Sequence, residues 1–389
     1  MNTTDLHIQE VQNEKQLRQF ILFPWQIYRG DRNWVPPLIS RRASYLDHTK
    51  SPIFKDGGAA LFLAVREARV VGTIGVSIDN DANEYRGEKT GNFGFFETVD
   101  DYEVAHLLCD TARQWLREHG MTLMRGPYNF GGNDDPGFLV GGEDCPPVML
   151  EAHTKPYYAA MAERYGMAKH TEGYAYRIDR PAGGDLESAI PPKIMRVAEW
   201  VQKRAGVTVR HARLDHWDEE ITIARRLFNE SLLHLRDHVP LSEEQFRDMA
   251  MEMKDLLHED FVYFAEVGGE PIAFSLAIPD INQVLIHGNG GRYPWDWLKM
   301  WWYSKRINVL SFKIMVMLPQ YRGRGLDAML YLNTARAALA QGCQWMDMSL
   351  IAEENTAVRL LAEKVGGRIF KRYRIYQICV PTKGGTEYL

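Results

Sequence analysis

The chain has little of what directs a protein to a membrane, to nucleic acid or out of the cell. Its four cysteines are far apart in 389 residues and form neither a metal pair nor a disulfide framework. No uncharged apolar run approaches the about 18 residues that span a bilayer, and the N-terminal MNTTDLHIQE does not resemble a signal peptide. A net charge of −5 argues against general nucleic-acid binding. We therefore expect a soluble, cytoplasmic protein whose anion sites are local.

An internal repeat is the main feature of the sequence. ALFLAVREARVVGTIGVSID (60–79) and FVYFAEVGGEPIAFSLAIPD (261–280) both have the pattern of a β-hairpin, and their positions differ by 201. DTARQWLREHG (110–120) and NTARAALAQG (333–342) are both typical of a helix that ends at glycine, and their positions differ by 223. The second copy therefore carries 22 more residues between hairpin and helix. We expect the order hairpin, strand, turn, helix, strand, helix, strand to occur twice.

The repeat predicts an α+β (mixed α/β) fold of two tandem domains, each with a central, mostly antiparallel sheet flanked by helices. A proline- and glycine-rich stretch, PAGGDLESAIPP, favours a linker at 181–192. The predicted domains are accordingly 1–180 and 193–389.

The turn within LPQYRGRGLDAML (318–330) is the strongest candidate for a binding site. Gly323 and Gly325 lie between a predicted buried strand and a predicted helix, where backbone N–H groups lack partners. Without Cβ atoms this backbone can close around a phosphate, although an ordinary glycine turn has the same pattern. By the offset of 223, the first copy has Asp100 and Asp101 in the places of Gly323 and Arg324, where carboxylates would cap the helix and repel a pyrophosphate.

These residues resemble a known acyl-CoA loop. QYRGRG (320–325) is similar to the Q/R-x-x-G-x-G/A motif of the GNAT superfamily of N-acyltransferases, and the stretch from Asn355 is similar to that superfamily's N-x-x-A-x-x-L-Y-x-K-x-G-F pattern. The resemblance implies that acetyl-CoA or a longer acyl-CoA is the co-substrate. The residues implied to bind it are Gln320, Tyr321, Arg322, Gly323, Arg324, Gly325, Leu326 and Asn355.

A narrower resemblance concerns the group of proteins. FGFFETVDD, MRGPYNFGGND, SLIAEENTAV and KRYRIY are similar to stretches of the bacterial tandem-GNAT group that includes ceramide-synthase-like acyltransferases. This resemblance implies transfer of the acyl group to a primary amine, a long-chain (sphingoid-like) base, in the cleft between the halves. Two positions depart from the superfamily's pattern: Ala362 stands where its general-acid tyrosine is expected, and Asp327 where a small residue often follows the loop.

Several residues near the predicted thioester site are candidates for catalysis. Glu353 is our preferred general base and Glu354 the next, although two acids before a helix are also typical of its first turn. By resemblance, the backbone N–H near Met317 would bind the oxyanion. Asp347 and Ser349 share one strand face, which makes them cleft or cross-sheet residues, and we assign Ser349 to the substrate. Two further candidates, Tyr373 and Tyr376, could replace the missing acid or simply be strand aromatics.

The 22 additional residues fall within 281–306, which holds four of the ten tryptophans. If Trp295–Tyr303 is helical, apolar surface covers most of its circumference, which is typical of a core helix. Because the first copy lacks this segment, Trp301 and Trp302 could instead cover an acyl chain or contact a membrane surface, with Lys299 and Lys305 nearby.

Other functions stay open at this point. An aminoacyl-tRNA-dependent transferase with two GNAT-like halves would use the same architecture, and a CoA-binding regulatory protein would explain the missing tyrosine. The histidines show no metal-ligand spacing, so we expect no metal and no nucleic-acid partner. The glycine-rich stretch 126–147 is either an ordered connection or the wall of a cleft. Oligomeric state is not predicted.

Overall fold

A computed structural model describes residues 5–49, 51, 53–54, 58–130, 135–181, 190–204 and 206–381. The chain is a mixed α/β protein, as predicted. Its residues cluster in space into two compact units. Unit 1 contains Met1–Gly173, Asn282–Lys305 and Lys371–Leu389, and unit 2 contains Tyr174–Ile281 and Arg306–Phe370.

Neither unit is continuous in sequence, so the units do not coincide with the halves 1–180 and 193–389. The predicted linker 181–192 falls mostly outside the described residues, because 182–189 are not among them. The domain boundaries stay a prediction about the repeat in the sequence.

Strands and helices alternate along the chain in the predicted way. In chain order the strands are β1 His7–Glu10, β2 Ala59–Arg66, β3 Arg69–Ser77, β4 Thr90–Thr98, β5 Leu123–Gly126, β6 Phe138–Gly141, β7 Ala168–Asp179, β8 Val207–His211, β9 Val262–Val267, β10 Glu270–Pro279, β11 Val309–Met317, β12 Trp345–Ala352 and β13 Arg368–Cys379.

The helices follow the same alternation. They are α1 Glu14–Leu22, α2 Pro24–Ile27, α3 Ile39–Tyr45, α4 Asn80–Arg86, α5 Tyr102–Glu118, α6 Tyr157–Arg164, α7 Pro192–Arg204, α8 Trp217–Leu232, α9 Glu243–Met253, α10 Asn282–Leu285, α11 Pro294–Ser304, α12 Leu326–Ala340 and α13 Thr356–Lys364.

The two copies of the repeat have the same strand pairing, which confirms the predicted tandem fold. In unit 1, β2 pairs with β3 and β3 with β4, both antiparallel, and β4 pairs with β5 in parallel. In unit 2, β9, β10, β11 and β12 repeat this order, again with a parallel last pair. An additional strand, β1 or β8, pairs antiparallel with the first strand of each hairpin.

Strand β13, the last strand among the described residues, belongs to the sheet of unit 1. Its end pairs antiparallel with β5, with Tyr376 opposite Gly126, and its middle pairs with β6, with Tyr373 opposite Leu139. Unit 1 is therefore built from both ends of the sequence.

The parallel pair of unit 2 opens into a fork. Backbone pairing between β11 and β12 covers Val309–Phe312 and the facing residues of β12, up to Met348. Both strands continue beyond it, to Met317 and Ala352. On the other edge of β11, the register with β10 shifts beside Lys313, the kind of irregularity that bends a strand. Strand β11 therefore follows β10 while it diverges from β12.

The helices that follow β4 and β11 have different environments. Helix α5 is amphipathic and buries Val104, Leu108 and Leu116, among others, against the sheet of unit 1. Gly91 makes this close approach possible, because a Cβ there would lie 2.0 Å from a Leu116 methyl. Helix α12 is apolar on most sides, since it packs both on the sheet of unit 2 and on α7.

Asp101 stabilises the start of α5. Its side chain accepts a 2.9 Å hydrogen bond from the Glu103 N–H and a 2.7 Å bond from Arg66. Although partial burial opposes this, the hydrogen bonds and the Arg66 charge hold the pKa of Asp101 below its ordinary value. The structure confirms that an aspartate caps this helix.

Replacing Asp101→Ala should therefore destabilise unit 1 by about 1 kcal/mol near pH 7, the usual cost of losing a helix cap. Because the folded pKa is lowered, this stabilisation exists above the ordinary aspartate value near ~3.9 and should vanish as the pH falls through the folded value. Thermal unfolding measured from pH 7 to pH 2 tests both points. The adjacent Asp100→Ala is the matched control, and an equal loss in both variants would contradict the role of the cap.

Candidate functional site

The loop between β11 and α12 leaves a helix N-terminus without a side-chain cap. Gly323 and Gly325 both have left-handed backbone conformations, with φ of 71° and 84°. Gly325 precedes the first residue of α12, and no side chain in the described structure caps that end of the helix. The first N–H groups of α12 are thus presented next to an exposed glycine turn, an arrangement that suits an anion.

The two glycines are required for different reasons. A Cβ on Gly325 would lie 2.6 Å from a methyl of Val197 and 3.0 Å from one of Val201, so α7 leaves no room for a side chain. A Cβ on Gly323 would have no atom within 4 Å. Packing fixes Gly325, whereas Gly323 needs glycine only for its conformation and leaves open space above the loop.

The two arginines of the loop have different partners. Arg322 donates to the backbone carbonyl of Ser231, at the end of α8, and its guanidinium lies 3.2 Å from His234 Nδ1. Partial burial and the Arg322 charge lower the pKa of His234. Arg324 lies over the Tyr321 ring at 5.3 Å. Arg322 therefore attaches the loop to α8, while Arg324 is the better placed of the two for a ligand.

The remaining residues of the predicted CoA motif surround this turn. Gln320 is exposed and Tyr321 half-buried in the 3₁₀ turn Pro319–Tyr321. Leu326 is buried beneath the loop, and Asp327 lies in the first turn of α12. Asn355 directly precedes α13 without forming a side-chain cap.

Met317 lies at the open side of the fork. The N–H of Leu318 donates to Ile272 on β10, at 3.0 Å. Because successive N–H groups of a strand point to opposite edges, the N–H of Met317 points away from β10. Its pairing partner on that side would be β12, but the ladder with β12 ends at Phe312. This orientation is compatible with the predicted oxyanion role.

A buried polar network cross-links the fork at its base. Asp347 Oδ2 accepts hydrogen bonds from Ser311, at 2.5 Å, and from Ser349, at 2.6 Å. Lys313 Nζ lies 2.8 Å from Ser349 Oγ and 3.3 Å from Asp347 Oδ2. Asp347 and Ser349 therefore link neighbouring strands of the sheet. This is the cross-sheet alternative of the two expected from the sequence. The role of Ser349 in substrate binding stays a prediction.

Sequence reasoning missed Lys313. The lysine is the one charged residue of FKIMVML, and its side chain is only 6% exposed. A charge inside an otherwise apolar strand is a signal that could have been noticed, since a buried lysine needs an anionic partner.

The two glutamates predicted as catalytic follow the end of β12. Glu353 is half-buried and its backbone carbonyl accepts a 2.9 Å bond from Arg359, whereas Glu354 is exposed. Ala362, which stands where the general-acid tyrosine is expected, is fully buried within α13. Its methyl group cannot donate a proton. Which glutamate acts on a substrate stays a prediction.

Tyr373 and Tyr376 belong to unit 1, not to unit 2 with the loop. Their hydroxyls already have acceptors, since Tyr376 donates to Glu163 at 2.8 Å and Tyr373 to Glu151 at 3.4 Å. Burial is the main cause that raises the pKa of Tyr376 to about 12. The simpler expectation, that these are strand aromatics, fits their 1% exposure.

The aromatic segment is helical, but the core-helix interpretation is wrong. In α11, Asp296 and Met300 are buried, whereas Trp301 is 59% and Trp302 47% exposed. The other large exposed side chains of this helix are Trp295, Trp297 and Leu298. The helix therefore buries only one narrow side against the rest of unit 1.

None of the helices in the described residues is long and apolar enough to pass through a bilayer. In the same ranges, no cluster of three or more histidine, cysteine, aspartate or glutamate residues could hold a metal ion.

Comparisons with known proteins agree with the tandem architecture. No family model matches the chain. Protein YghO of Escherichia coli (strain K12) is 31% identical over 371 residues, which cover 94% of this chain and 93% of YghO. A protein of Caulobacter vibrioides (strain NA1000 / CB15N), named bacterial ceramide synthase, is 30% identical over 380 residues, 96% of this chain and 97% of that protein.

A solved structure adds evidence for the fold. A tandem GNAT protein from the clavulanic acid biosynthesis pathway matches with a TM-score of 0.59 and covers 97% of this chain and 100% of its own, at 14% identity. At this identity the likeness concerns the fold alone. With the repeat, the shared strand pairing and the two full-length relatives, it follows that the chain belongs to the bacterial tandem-GNAT family that includes ceramide-synthase-like proteins.

Proposed function

We propose that this protein is an acyl-CoA-dependent N-acyltransferase, which moves an acyl group from a CoA thioester to a primary amine. The end of β11 is the observation that carries the proposal. There, the N–H of Met317 points to the open side of the fork, and the uncapped N-terminus of α12 follows after one glycine turn. One short segment thus offers a donor for a carbonyl oxygen and a cradle for a pyrophosphate.

In the proposed complex, the N–H groups around Gly323 and Gly325 bind the pyrophosphate of CoA, and Arg324 adds a positive charge. The open space above Gly323 allows the phosphate to approach the backbone closely. Gln320 is exposed at the rim of the loop, and Asn355 lies at the start of α13. Both can bind other parts of CoA.

The chemistry requires a base more than an acid. An alkylammonium has a pKa near ~10.4, so only on the order of one molecule in 10³ is neutral and nucleophilic at pH 7. We assign the base to Glu353, with Glu354 as the alternative. A thiol with a pKa near ~8.5 can leave as thiolate, which is why Ala362 in place of a tyrosine does not prevent the reaction.

We further propose a long-chain, sphingoid-like base as the acceptor. The support is the 30% identity to the C. vibrioides protein named bacterial ceramide synthase. Of the rival functions, an aminoacyl-tRNA-dependent transferase is disfavoured by the net charge of −5, and a CoA-binding protein without catalysis would show no turnover.

Such an acceptor would be taken from a membrane, and α11 is suited to contact one. The exposed Trp301 and Trp302 are accompanied by exposed basic residues, namely Arg292, Lys299 and Lys305. Aromatic side chains with lysine and arginine around them are typical of helices that lie in the interface of an anionic bilayer. We propose that α11 binds peripherally to such a surface.

The loop proposal predicts that Gly323→Glu lowers acyl-CoA affinity by roughly 10²-fold or more, because a side chain and a like charge would occupy the phosphate position. Gly342→Glu is the matched control: Gly342 also has a left-handed conformation, with φ of 79°, and open space around it, but it follows the other end of α12. Titration calorimetry with acyl-CoA measures both. Similar losses in the two variants would show that strain or charge in general is responsible. Asp101→Ala should leave the affinity nearly unchanged, and a loss equal to that of Gly323→Glu would contradict the assignment of anion binding to the second copy alone.

If Glu353 is the base, Glu353→Gln should lower kcat by roughly 10²-fold at pH 7 while acyl-CoA affinity is unchanged. The defect should shrink at high pH, where the amine loses its proton without help. Pre-steady-state and steady-state rates between pH 7 and pH 10 test this, with Glu354→Gln as the comparison. Normal turnover of Glu353→Gln at pH 7 would transfer the role to Glu354.

If α11 docks on membranes, the double variant Trp301→Ala/Trp302→Ala should bind phosphatidylglycerol-containing vesicles at least about tenfold more weakly, since both side chains lose their apolar contact. Its unfolding temperature should stay near that of the wild type, because both tryptophans are exposed. Trp200→Ala, at a 52% exposed position on α7, is the control. Unchanged vesicle binding together with a weaker preference for long acyl-CoA would assign α11 to the acyl chain instead.

A further inference from the structure

Unit 1 contains a cavity that the proposed CoA site does not use. Its volume is about 260 Å³, whereas a single water needs only about 10–15 Å³. Most of its lining residues are apolar or aromatic. They include Trp34, Val35, Leu46, Phe95, Phe96 and Phe138. The described ends of the glycine-rich stretch 126–147 also line it, so that stretch forms part of a cavity wall.

The acidic side chains that line this space are Glu97, Asp135 and Glu151. Glu97, on β4, lines the cavity and keeps partial exposure there. Its carboxylate accepts a 2.7 Å hydrogen bond from Tyr158 and a 3.3 Å bond from Tyr28. Both tyrosines are buried, and neither carries a positive charge. Desolvation outweighs these two bonds and raises the pKa of Glu97 to about 7.

The basic groups near Glu97 lie beside other acids. Lys155 Nζ and His153 Nε2 each lie 3.1 Å from Asp31. Arg42 lies 3.9 Å from Asp135 and over the Phe95 ring. Lys155 and Arg42 lower the pKa of Glu97 from a distance, too weakly to offset its desolvation.

The remaining titratable groups around Glu97 do not supply a cation either. The carboxylate of Glu151 accepts a 3.0 Å bond from the Val148 N–H, and Tyr157 donates to the Thr98 carbonyl at 2.9 Å. Within the described residues, no lysine or arginine nitrogen pairs directly with Glu97. The cavity thus combines an unneutralised carboxylate with an apolar wall.

This combination selects one class of ligand. A carboxylate held in a poorly solvating environment is stabilised by a cation, and the tyrosine hydroxyls orient it without neutralising it. A metal ion would need several acidic or histidine ligands, and no such cluster exists among the described residues. An anion would be repelled by Glu97, Asp135 and Glu151, and Arg42, which also lines the cavity, already lies beside Asp135. An alkylammonium offers both the charge and an apolar chain for the aromatic lining.

We propose that this cavity binds an aliphatic primary amine, with its ammonium at Glu97 and its chain along Trp34, Phe95 and Phe96. This binding goes beyond the proposed N-acyltransferase function and does not depend on it. Glu97 is here a binding residue, separate from the base assigned in unit 2.

Titration calorimetry of the full chain without CoA tests the proposal, with octylamine, 1-octanol and octanoate as probes of equal chain length. Octylamine should bind tightest, and affinity should rise by up to about fourfold per methylene from butylamine to octylamine. Glu97→Gln should weaken octylamine binding by at least about tenfold and leave 1-octanol unchanged. Glu84→Gln, at an exposed position on α4, is the matched control.

Acidity gives a second readout. Octylamine affinity of the wild type should rise as the pH passes upward through about 7, because Glu97 loses its proton there, and Glu97→Gln should remove this rise. Glu97→Gln should also fold, because it removes a charge that burial disfavours, and its unfolding temperature at pH 8 checks this. Val35→Trp should reduce the gain with chain length by filling the cavity.

The proposal is overturned if octanoate binds as well as octylamine, if no alkylamine binds, or if folded Glu97→Gln and Val35→Trp both bind octylamine as the wild type does. The proposed function fails separately. In that case octylamine binds through Glu97, but the affinity for acyl-CoA is unchanged by Gly323→Glu, or no acyl product forms.

Discussion

The divergence of β11 from β12 is the constraint on which the candidate site of unit 2 depends. Parallel pairing ends at Phe312, and the backbone beyond it has one open edge. The buried pair of Lys313 and Asp347 lies at this point. Because a buried charge that loses its partner typically costs 3–5 kcal/mol, the two strands are held together there. The fork therefore opens from a fixed point. This point determines where Met317 and the loop after it lie.

The two units show how one strand order supports different chemistry. In unit 1 an aspartate caps α5, the helix that follows β4, and its carboxylate occupies an N–H group that an anion would need. In unit 2 glycines leave those groups without a side-chain cap. Unit 1 instead places a carboxylate on its central strand, at Glu97, inside an aromatic cavity. A few side chains thus decide whether the same backbone presents a positive or a negative environment.

Local sequence patterns predicted the elements better than their surroundings. The repeat and the glycine turn were predictable because strand and helix periodicities and positive-φ glycines leave local signals. The exposure of Trp301 was not, because periodicity does not tell which face of an aromatic helix has a partner. The same limit applies to Glu97, since the environment that raises its pKa includes Tyr28 and Tyr158, both distant in sequence. Tyr373 lies in unit 1 because its strand returns there, which no local pattern indicates.

The return of β13 to unit 1 has a consequence for biosynthesis. Residues 371–379 leave the ribosome after all the residues of unit 2, yet they form a strand in the sheet of unit 1, most of which is synthesised before unit 2. Until they emerge, β5 lacks this neighbour and presents an unpaired edge of the kind that promotes association between chains. A nascent chain can therefore complete unit 2 before unit 1, so that the order of folding is the reverse of the order of synthesis.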